Sequence, residues 1–552
     1  MSLQGEPTKA GTSDITASTP LAGLVNTAAS PELQGRDSAE SNAANRWGPP
    51  VFALLFLALG SVLRLYNFWK PELWIDEYGT WWTVAGSDWM DVAHRALHIQ
   101  GQSPFYYLLV RLCTDVLGTS PFSLRLPSII PGIGLIALAY PLGLRLFKDR
   151  HAAMLSVAAF SVNVPLIFYS LDARPYSLAL FFTMLSFFWY LSLLEREKLS
   201  VRIAYLLATS GLFYAHYLFS LAVGVQAVHL LLARRGAAVR SKAWLATLAG
   251  VALLWLPGVV QLSRLFGRRD ALGWIDPSMD VREFAALTLS FADPMVFAMV
   301  ALAVLVAGID PARAEPGWNT RNRMLILLWF LGPIAVTYMV PPLFGVTLSH
   351  HRYVLLSAPA ALFTLVLLMR LGRTTGIRRW VPIFVLMSLT FMVLLPTFKD
   401  HGVFAPLTNQ GWTQAARVLE ERGQPGDLML YRSGFVEADS VETGIPDPML
   451  VSFVDWPLQS HLASFGKFHV IHLPYRLTGR FLSAAIDQIQ THPRIWVVGF
   501  GPTIIPTLID TVSEMEGLAT VVREDFGEVK IGLLDRNVVP SGSGLIQPRH
   551  NQ

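Results

Sequence analysis

The chain has one cysteine, Cys113, in 552 residues. That excludes an intrachain disulfide and a thiolate metal cluster, so any metal must be held by carboxylates and histidines. Charge is also scarce: 15% of residues are Asp, Glu, Lys or Arg, against 53% hydrophobic and a mean hydropathy of +0.44. Soluble globular domains carry about 25% charged residues, so the composition indicates a polytopic membrane protein. The first 46 residues lack any apolar run and are rich in Ser, Thr, Ala, Gly and Pro. No basic start, short apolar core and small-residue cleavage site opens the chain, so no cleaved signal peptide is expected. A disordered cytoplasmic tail is expected over 1–46. The formal charge of +4 does not indicate nucleic acid, because excess Lys and Arg in a membrane protein collects in cytoplasmic loops.

What the chain has is long apolar runs. A span needs roughly 20 mostly apolar residues. Candidates are 50–68, 127–147, 152–170, 175–194, 202–220, 222–233, 243–262, 292–309, 324–341, 353–371 and 380–397. The segment 103–118 is short and carries Arg111 and Asp115. If it lies flat in the interface, Arg145, Lys148 and Arg150, then Arg234, Arg235 and Arg240, then Arg370, Arg373 and Arg378 all face the cytoplasm. If it crosses, those clusters move outside. Positive charge therefore selects the flat arrangement, about eleven spans and a cytoplasmic N-terminus. A transmembrane domain is expected over 47–397, with a first outer loop at 69–126. After Thr397 no span occurs; helix-like and strand-like segments alternate, which reads as a small outer α/β domain over 398–540. It contains no Gly-rich phosphate loop and no nucleophile elbow. A loose tail at 541–552 completes the chain.

The same parity gathers the ionisable short loops on one outer face. The stretch PELWIDEYGTWW (71–82) sets Asp76 and Glu77 among four aromatic residues at the end of the first span. Read alone, it is either an aromatic belt with two solvated acids or a reactive pair. A partly desolvated carboxylate suits general-base work. Neighbours on a helix point about 100° apart, so one acid faces the site and the other supports it. YSLDARPY (169–176) adds Asp172 and Arg174, read either as an interfacial ion pair or as an acid beside a phosphate-binding guanidinium. SHHRY (349–353) adds His350, His351 and Arg352, suited to a phosphate or pyrophosphate head group. Arg125 is a further phosphate candidate, and His216-Tyr217 reads as a satisfied helix end.

The order of WIDE (74–77), QSPFYY (102–107), GTSPFSLRLPS (118–128) and YSLDARPY (169–176) resembles GT-C glycosyltransferases of the protein O-mannosyltransferase and lipid A aminoarabinose transferase type. GWTQAA (411–416) followed by PGD (425–427) is similar to the soluble tail of bacterial members. The resemblance implies an α-helical GT-C-like membrane fold and an inverting transferase with a periplasmic site in the inner membrane. It implies a polyprenyl-phosphate-linked sugar as donor and a lipid, glycan or protein as acceptor. Carried over, Asp76 is the catalytic base with Glu77 in support, and Asp172 and Arg174 match the second outer-loop motif. Many relatives have Glu at the position of Asp172. Some members hold a divalent cation near these acids, which would make Asp76 and Asp172 ligands. The alternative is a transporter or flippase of lipid-linked sugars, but transporters place charges near the midplane and show repeated halves, whereas these charges sit at one edge.

Overall fold

The computed structural model describes residues 51–65, 73–233, 242–266, 320–339, 351–371, 410–441, 447–477 and 479–538. The expected spans 292–309 and 380–397, the expected tails, His350 and the loop beyond residue 266 lie outside the described residues. Every other expected span coincides with a helix. These are α1 (Val51–Leu65), α5 (Pro121–Phe147), α6 (Arg150–Val162) with α7 (Val164–Leu171), and α8 (Tyr176–Glu195). They continue with α9 (Leu199–Ala215), α10 (Leu221–Ala233), α11 (Lys242–Phe266), α12 (Thr320–Met339) and α13 (Arg352–Arg370). Among the described residues, 5 helices are long and apolar enough to cross a membrane, or 6 when α6 and α7 are one bent span. The expected eleven is not confirmed by that measure: α1, α9 and α10 are shorter apolar helices, and two of the expected spans lie outside the described residues.

Three helices fill the segment expected as the first outer loop: α2 (Ile75–Val84), α3 (Trp89–His98) and α4 (Pro104–Leu117). Helix α4 starts where Ser103 accepts from the Phe105 amide and Pro104 presets the first turn. Its 14 residues span about 21 Å, short of the ~30 Å hydrocarbon core. Arg111 within it bonds Asp115 at 2.7 Å and donates to the carbonyls of Val84 and Gly86. These features fit a helix lying flat and tying down the end of α2.

The span α6–α7 bends by 55° at Asn163. Asn163 accepts from the Leu166 amide and starts α7 with Pro165 in its first turn. Pro165 cannot donate to the preceding helix, which leaves carbonyls of α6 open. Arg64, 0% exposed, fills the gap: it donates to the carbonyls of Phe160, Ser161 and Gly60 and to Ser170 Oγ. A guanidinium at a helix C-terminus is favoured by the dipole as well as by the bonds. The break steers α7 toward the loop that carries Asp172.

Beyond residue 410 lies an α/β unit. A five-stranded sheet runs in the order β2-β1-β3-β5-β4, with β1 (Leu428–Arg432), β2 (His469–His472), β3 (Arg494–Phe500), β4 (Ala519–Phe526) and β5 (Val529–Asp535). β1 pairs in parallel with β2 and β3, while β5 is antiparallel to both β3 and β4. The segments expected as strands at 428–431, 468–473 and 495–499 are β1, β2 and β3. Alternation along each strand sends Leu428, Leu430, Ile495 and Val497 to one face, covered by α17 (Gly479–Thr491) and α18 (Ile504–Glu516). Met429, Tyr431, Trp496 and Val498 point to the other face. There α14 (Trp412–Arg422), the short α15 (Ala438–Val441) and α16 (Pro448–Gln459) join them to the same core as the helical part.

Candidate active site

The adjacent acids Asp76 and Glu77 sit in the first turn of α2, where the helix dipole favours negative charge. Their surroundings separate them. Glu77 Oε1 accepts from Arg125 Nε at 2.8 Å and from the Ala173 amide at 2.9 Å. Its Oε2 accepts from Arg125 Nη2 at 2.7 Å and from the Trp74 amide at 3.3 Å. Both side chains are 0% exposed. The structure thus places Glu77, expected in support of the base, and Arg125, expected on the donor phosphate, in a buried pair with each other. The pair fixes α2 to α5 and to the Asp172 loop.

Asp76 projects elsewhere and keeps 21% of its side chain exposed. Its Oδ2 accepts from Arg352 Nη1 at 3.0 Å, so the start of α13 reaches the acid on α2. Arg174 approaches from the opposite loop: its Nη1 donates to Gln100 Oε1 at 3.2 Å and, at 3.4 Å, to the Asp76 carbonyl. Gln100 is aimed by its own bond to the Gly79 carbonyl and by the Tyr107 hydroxyl. His351 opens the helix ahead of Arg352, with its side chain outside what is described.

Asp172 is 2% exposed and accepts from Trp74 Nε1 at 3.0 Å, while its Oδ2 is buried with no partner. Burial, reinforced by the charge on Glu77 and opposed by Arg174, raises its pKa well above the usual carboxylate range. A protonated Oδ2 becomes a donor. Of the two readings of Asp172 and Arg174, the interfacial ion pair is not what the structure shows; the two are joined by a backbone turn, with the Arg174 amide 2.7 Å from the Asp172 carbonyl. Arg174 Nε is itself buried without an acceptor.

Gln100 and Tyr107 at this site escaped sequence reasoning, and His216, read as a satisfied helix end, keeps an unsatisfied ring nitrogen. His216 occupies the break after α9 with its Nδ1 buried and unpartnered, its ring 5.5 Å from that of Tyr176. Burial, with the charges of Arg174 and Arg352, lowers its pKa to about 3, so it is a neutral imidazole. The break in a hydrophobic run was its only signal. The aromatic residues of 74–82 are not a belt facing lipid. Tyr78 Oη lies 2.8 Å from His461 Nε2, Trp82 Nε1 donates to Ser452 Oγ, and the Trp81 ring lies edge-on to that of Trp456. All three partners belong to the C-terminal unit.

Among the described residues, no three His, Cys, Asp or Glu side chains gather in a metal-binding group. Mg²⁺ keeps several waters and can be held by one or two carboxylates beside a phosphate; of the two acids expected as ligands, Asp76 meets a guanidinium and Asp172 an indole N–H, with Asp172 Oδ2 left unpartnered.

No protein-family model and no curated protein matches the sequence. Among solved structures the chain is similar to ArnT from Cupriavidus metallidurans in the apo state. The TM-score is 0.52 at 14% identity, covering 89% of this chain and 98% of that one. It is likewise similar to ArnT from Cupriavidus metallidurans bound to undecaprenyl phosphate, with a TM-score of 0.55 at 11% identity, covering 87% and 97%. The likeness is one of fold. The chain shares the overall fold of these two structures, with apolar helices long enough to cross a membrane followed by a small C-terminal sheet unit.

Proposed function

We propose that this protein is an inverting membrane glycosyltransferase that moves a sugar from a polyprenyl-phosphate-linked donor to an acceptor at the outer face of the membrane. The observation that carries the reading is Asp76: an acid open to solvent, with Arg352 on its Oδ2 and Arg174 on its carbonyl. The solved structure with undecaprenyl phosphate bound supports a lipid phosphate as part of the donor.

The donor phosphate enters from the bilayer and competes with Asp76 for Arg352, with Arg174 as the second cation. Losing Arg352 frees the Asp76 carboxylate as a base. The acceptor oxygen then attacks the anomeric carbon from the face opposite the phosphate. Its proton passes to Asp76, the bond from the anomeric carbon to the phosphate oxygen breaks, and polyprenyl phosphate departs with the electron pair. The charge developing on the leaving phosphate is met by the two guanidinium groups, the preorganised stabilisation on which such steps rely. Asp172, its pKa raised by burial, and the neutral His216 each bring a buried, unpartnered polar atom to this region. The hexosyl or pentosyl group, the lipid, glycan or protein acceptor, a plasma-membrane location with cytoplasmic N-terminus and a periplasmic 398–540 domain belong to the same proposal.

The test is Asp76→Asn in vesicles carrying undecaprenyl-phosphate-linked sugar. Removing a general base costs about 10²–10⁴-fold in rate. Transfer should fall by that range while melting behaviour stays near that of the wild type and undecaprenyl phosphate binding is retained or tightened, since Asp76 no longer competes for Arg352. A wild-type rate would overturn the reading.

A further inference from the structure

The chain leaves β1 toward β2 on one side and returns to β3 on the other. At such a reversal, open α/β sheets place ligands outside the carboxyl ends of the strands. Here Arg432 ends β1, and β3 ends in Gly499-Phe500 before the turn Gly501-Pro502-Thr503 starts α18. In register, Arg432 faces Gly499 and Gly499 faces Lys530. One row therefore carries two cations with no side chain between them, on the α17–α18 face and away from the helical core. Arg432 is 4% exposed and Lys530 9%. Gly501 has a φ of +135°, and a Cβ on it would lie 3.1 Å from Arg432 Nη1 and 3.5 Å from Ile504 Cβ. The guanidinium thus abuts the start of α18.

Lys530 pairs with Asp525, itself 70% exposed. No acid among the described residues hydrogen-bonds Arg432: its Nη1 donates to the Phe500 carbonyl, its Nη2 to that of Tyr475 at 2.9 Å, and its Nε is buried without an acceptor. Burial holds its pKa below the usual arginine value, with Tyr475 and Asp439 opposing in part. Arg64 is also buried on carbonyls, but at a helix C-terminus, where the dipole favours a cation. Arg432 meets a helix N-terminus, where the dipole opposes one. The Thr503 side chain does not cap that end, and Thr503 and Ile504 are exposed. A buried cation set against the positive end of a helix calls for an anion.

We propose that this crevice binds a phosphate group, held by Arg432, Lys530 and the amides of Thr503 and Ile504. The site is independent of the transferase reading. A phosphate oxygen displaces a neutral carbonyl from the guanidinium, since charge-assisted hydrogen bonds are roughly twice as strong. Phosphate also brings enough oxygens to meet both cations and both amides together, which the pair of oxygens on a carboxylate does not.

The experiment uses the full chain in phosphatidylcholine nanodiscs and follows amide hydrogen exchange over residues 499–508 by mass spectrometry. The probes are inorganic phosphate, glucose 6-phosphate, and phosphatidic acid added to the nanodisc. Slowing by a soluble probe assigns the site to a free phosphate group, and slowing by phosphatidic acid alone assigns it to a lipid head group. In either case Arg432→Gln should weaken the effective probe about tenfold or more, the loss expected for one charge-assisted hydrogen bond. Arg352→Gln should leave the effect unchanged. Exchange that no probe slows overturns the proposal, as does protection that survives Arg432→Gln. Protection lost in Arg352→Gln also overturns it, because the anion would then sit beside Asp76. If Arg432→Gln raises exchange throughout β1 and β3 without any probe, Lys530→Gln decides. Wild-type affinity in that variant overturns the proposal, and a weakened affinity upholds it.

Discussion

Glu77 and Arg125 form a two-bond ion pair, Nε to Oε1 at 2.8 Å and Nη2 to Oε2 at 2.7 Å, from which water is wholly excluded. It explains why two neighbouring acids have opposite fates. One is consumed in joining α2 to α5, and the other keeps 21% of its side chain exposed beside Arg352.

Breaking that pair on one side leaves a buried charge without its partner, at a cost of about 3–5 kcal/mol. Glu77→Gln and Arg125→Met should each lower thermal stability in detergent accordingly, with transfer falling as the folded fraction falls. The double variant should regain part of the loss. A Glu77→Gln protein that melts like the wild type would show that the pair does not hold this part of the fold.

Arg352 and Asp76 are about one-fifth exposed, and pairs so placed contribute about 0–1 kcal/mol. Arg352→Gln should therefore melt near the wild-type temperature. Its undecaprenyl phosphate affinity should drop at least tenfold, as expected for losing a charge-assisted contact of about 1.5–3 kcal/mol. Unchanged lipid affinity would remove Arg352 from the donor site.

Asp172 predicts a pH dependence of definite sign. Its folded pKa is raised by burial, so above the ordinary value of about 3.9 the folded state binds more protons than the unfolded one. Wild-type stability should therefore fall, relative to Asp172→Asn, as pH rises from that value toward the raised one. Asn keeps an acceptor for Trp74 and titrates nowhere, so the slope of the difference reports the ionisation alone. Chemical denaturation between pH 4 and pH 8 measures it, and a slope of the opposite sign refutes the assignment.

Arg64 closes the break between α6 and α7 through four acceptors. Arg64→Met removes these donors in a region without water, and each buried acceptor left unmet costs about 1–3 kcal/mol. The variant should fold poorly or melt well below the wild type. Arg64→Lys, which can meet only part of the set, should be intermediate. A methionine variant of full stability would mean that the break is held by Asn163 and Pro165 alone.

The apolar runs of the sequence marked the helices, because a span must bury its backbone bonds within itself and its length is set by the bilayer. Charge asymmetry grouped Asp76, Asp172, Arg174 and Arg352 on one face, since a loop's side is a property of the whole chain. Alternation and turn residues located β1, β2 and β3. The 55° break inside 152–170 was not foreseen: it depends on Asn163 and on a guanidinium that reaches it from α1.

Which acid is open was decided only in three dimensions. Glu77 meets an arginine 48 positions away, Asp172 an indole 98 positions away, and Tyr78 a histidine 383 positions away. Local pattern records whether a residue favours water or lipid and which period it follows. It does not record which distant partner fills its last hydrogen bond. For Asp76 and Glu77 that partner is the difference between an acid left partly exposed beside Arg352 and one buried against Arg125.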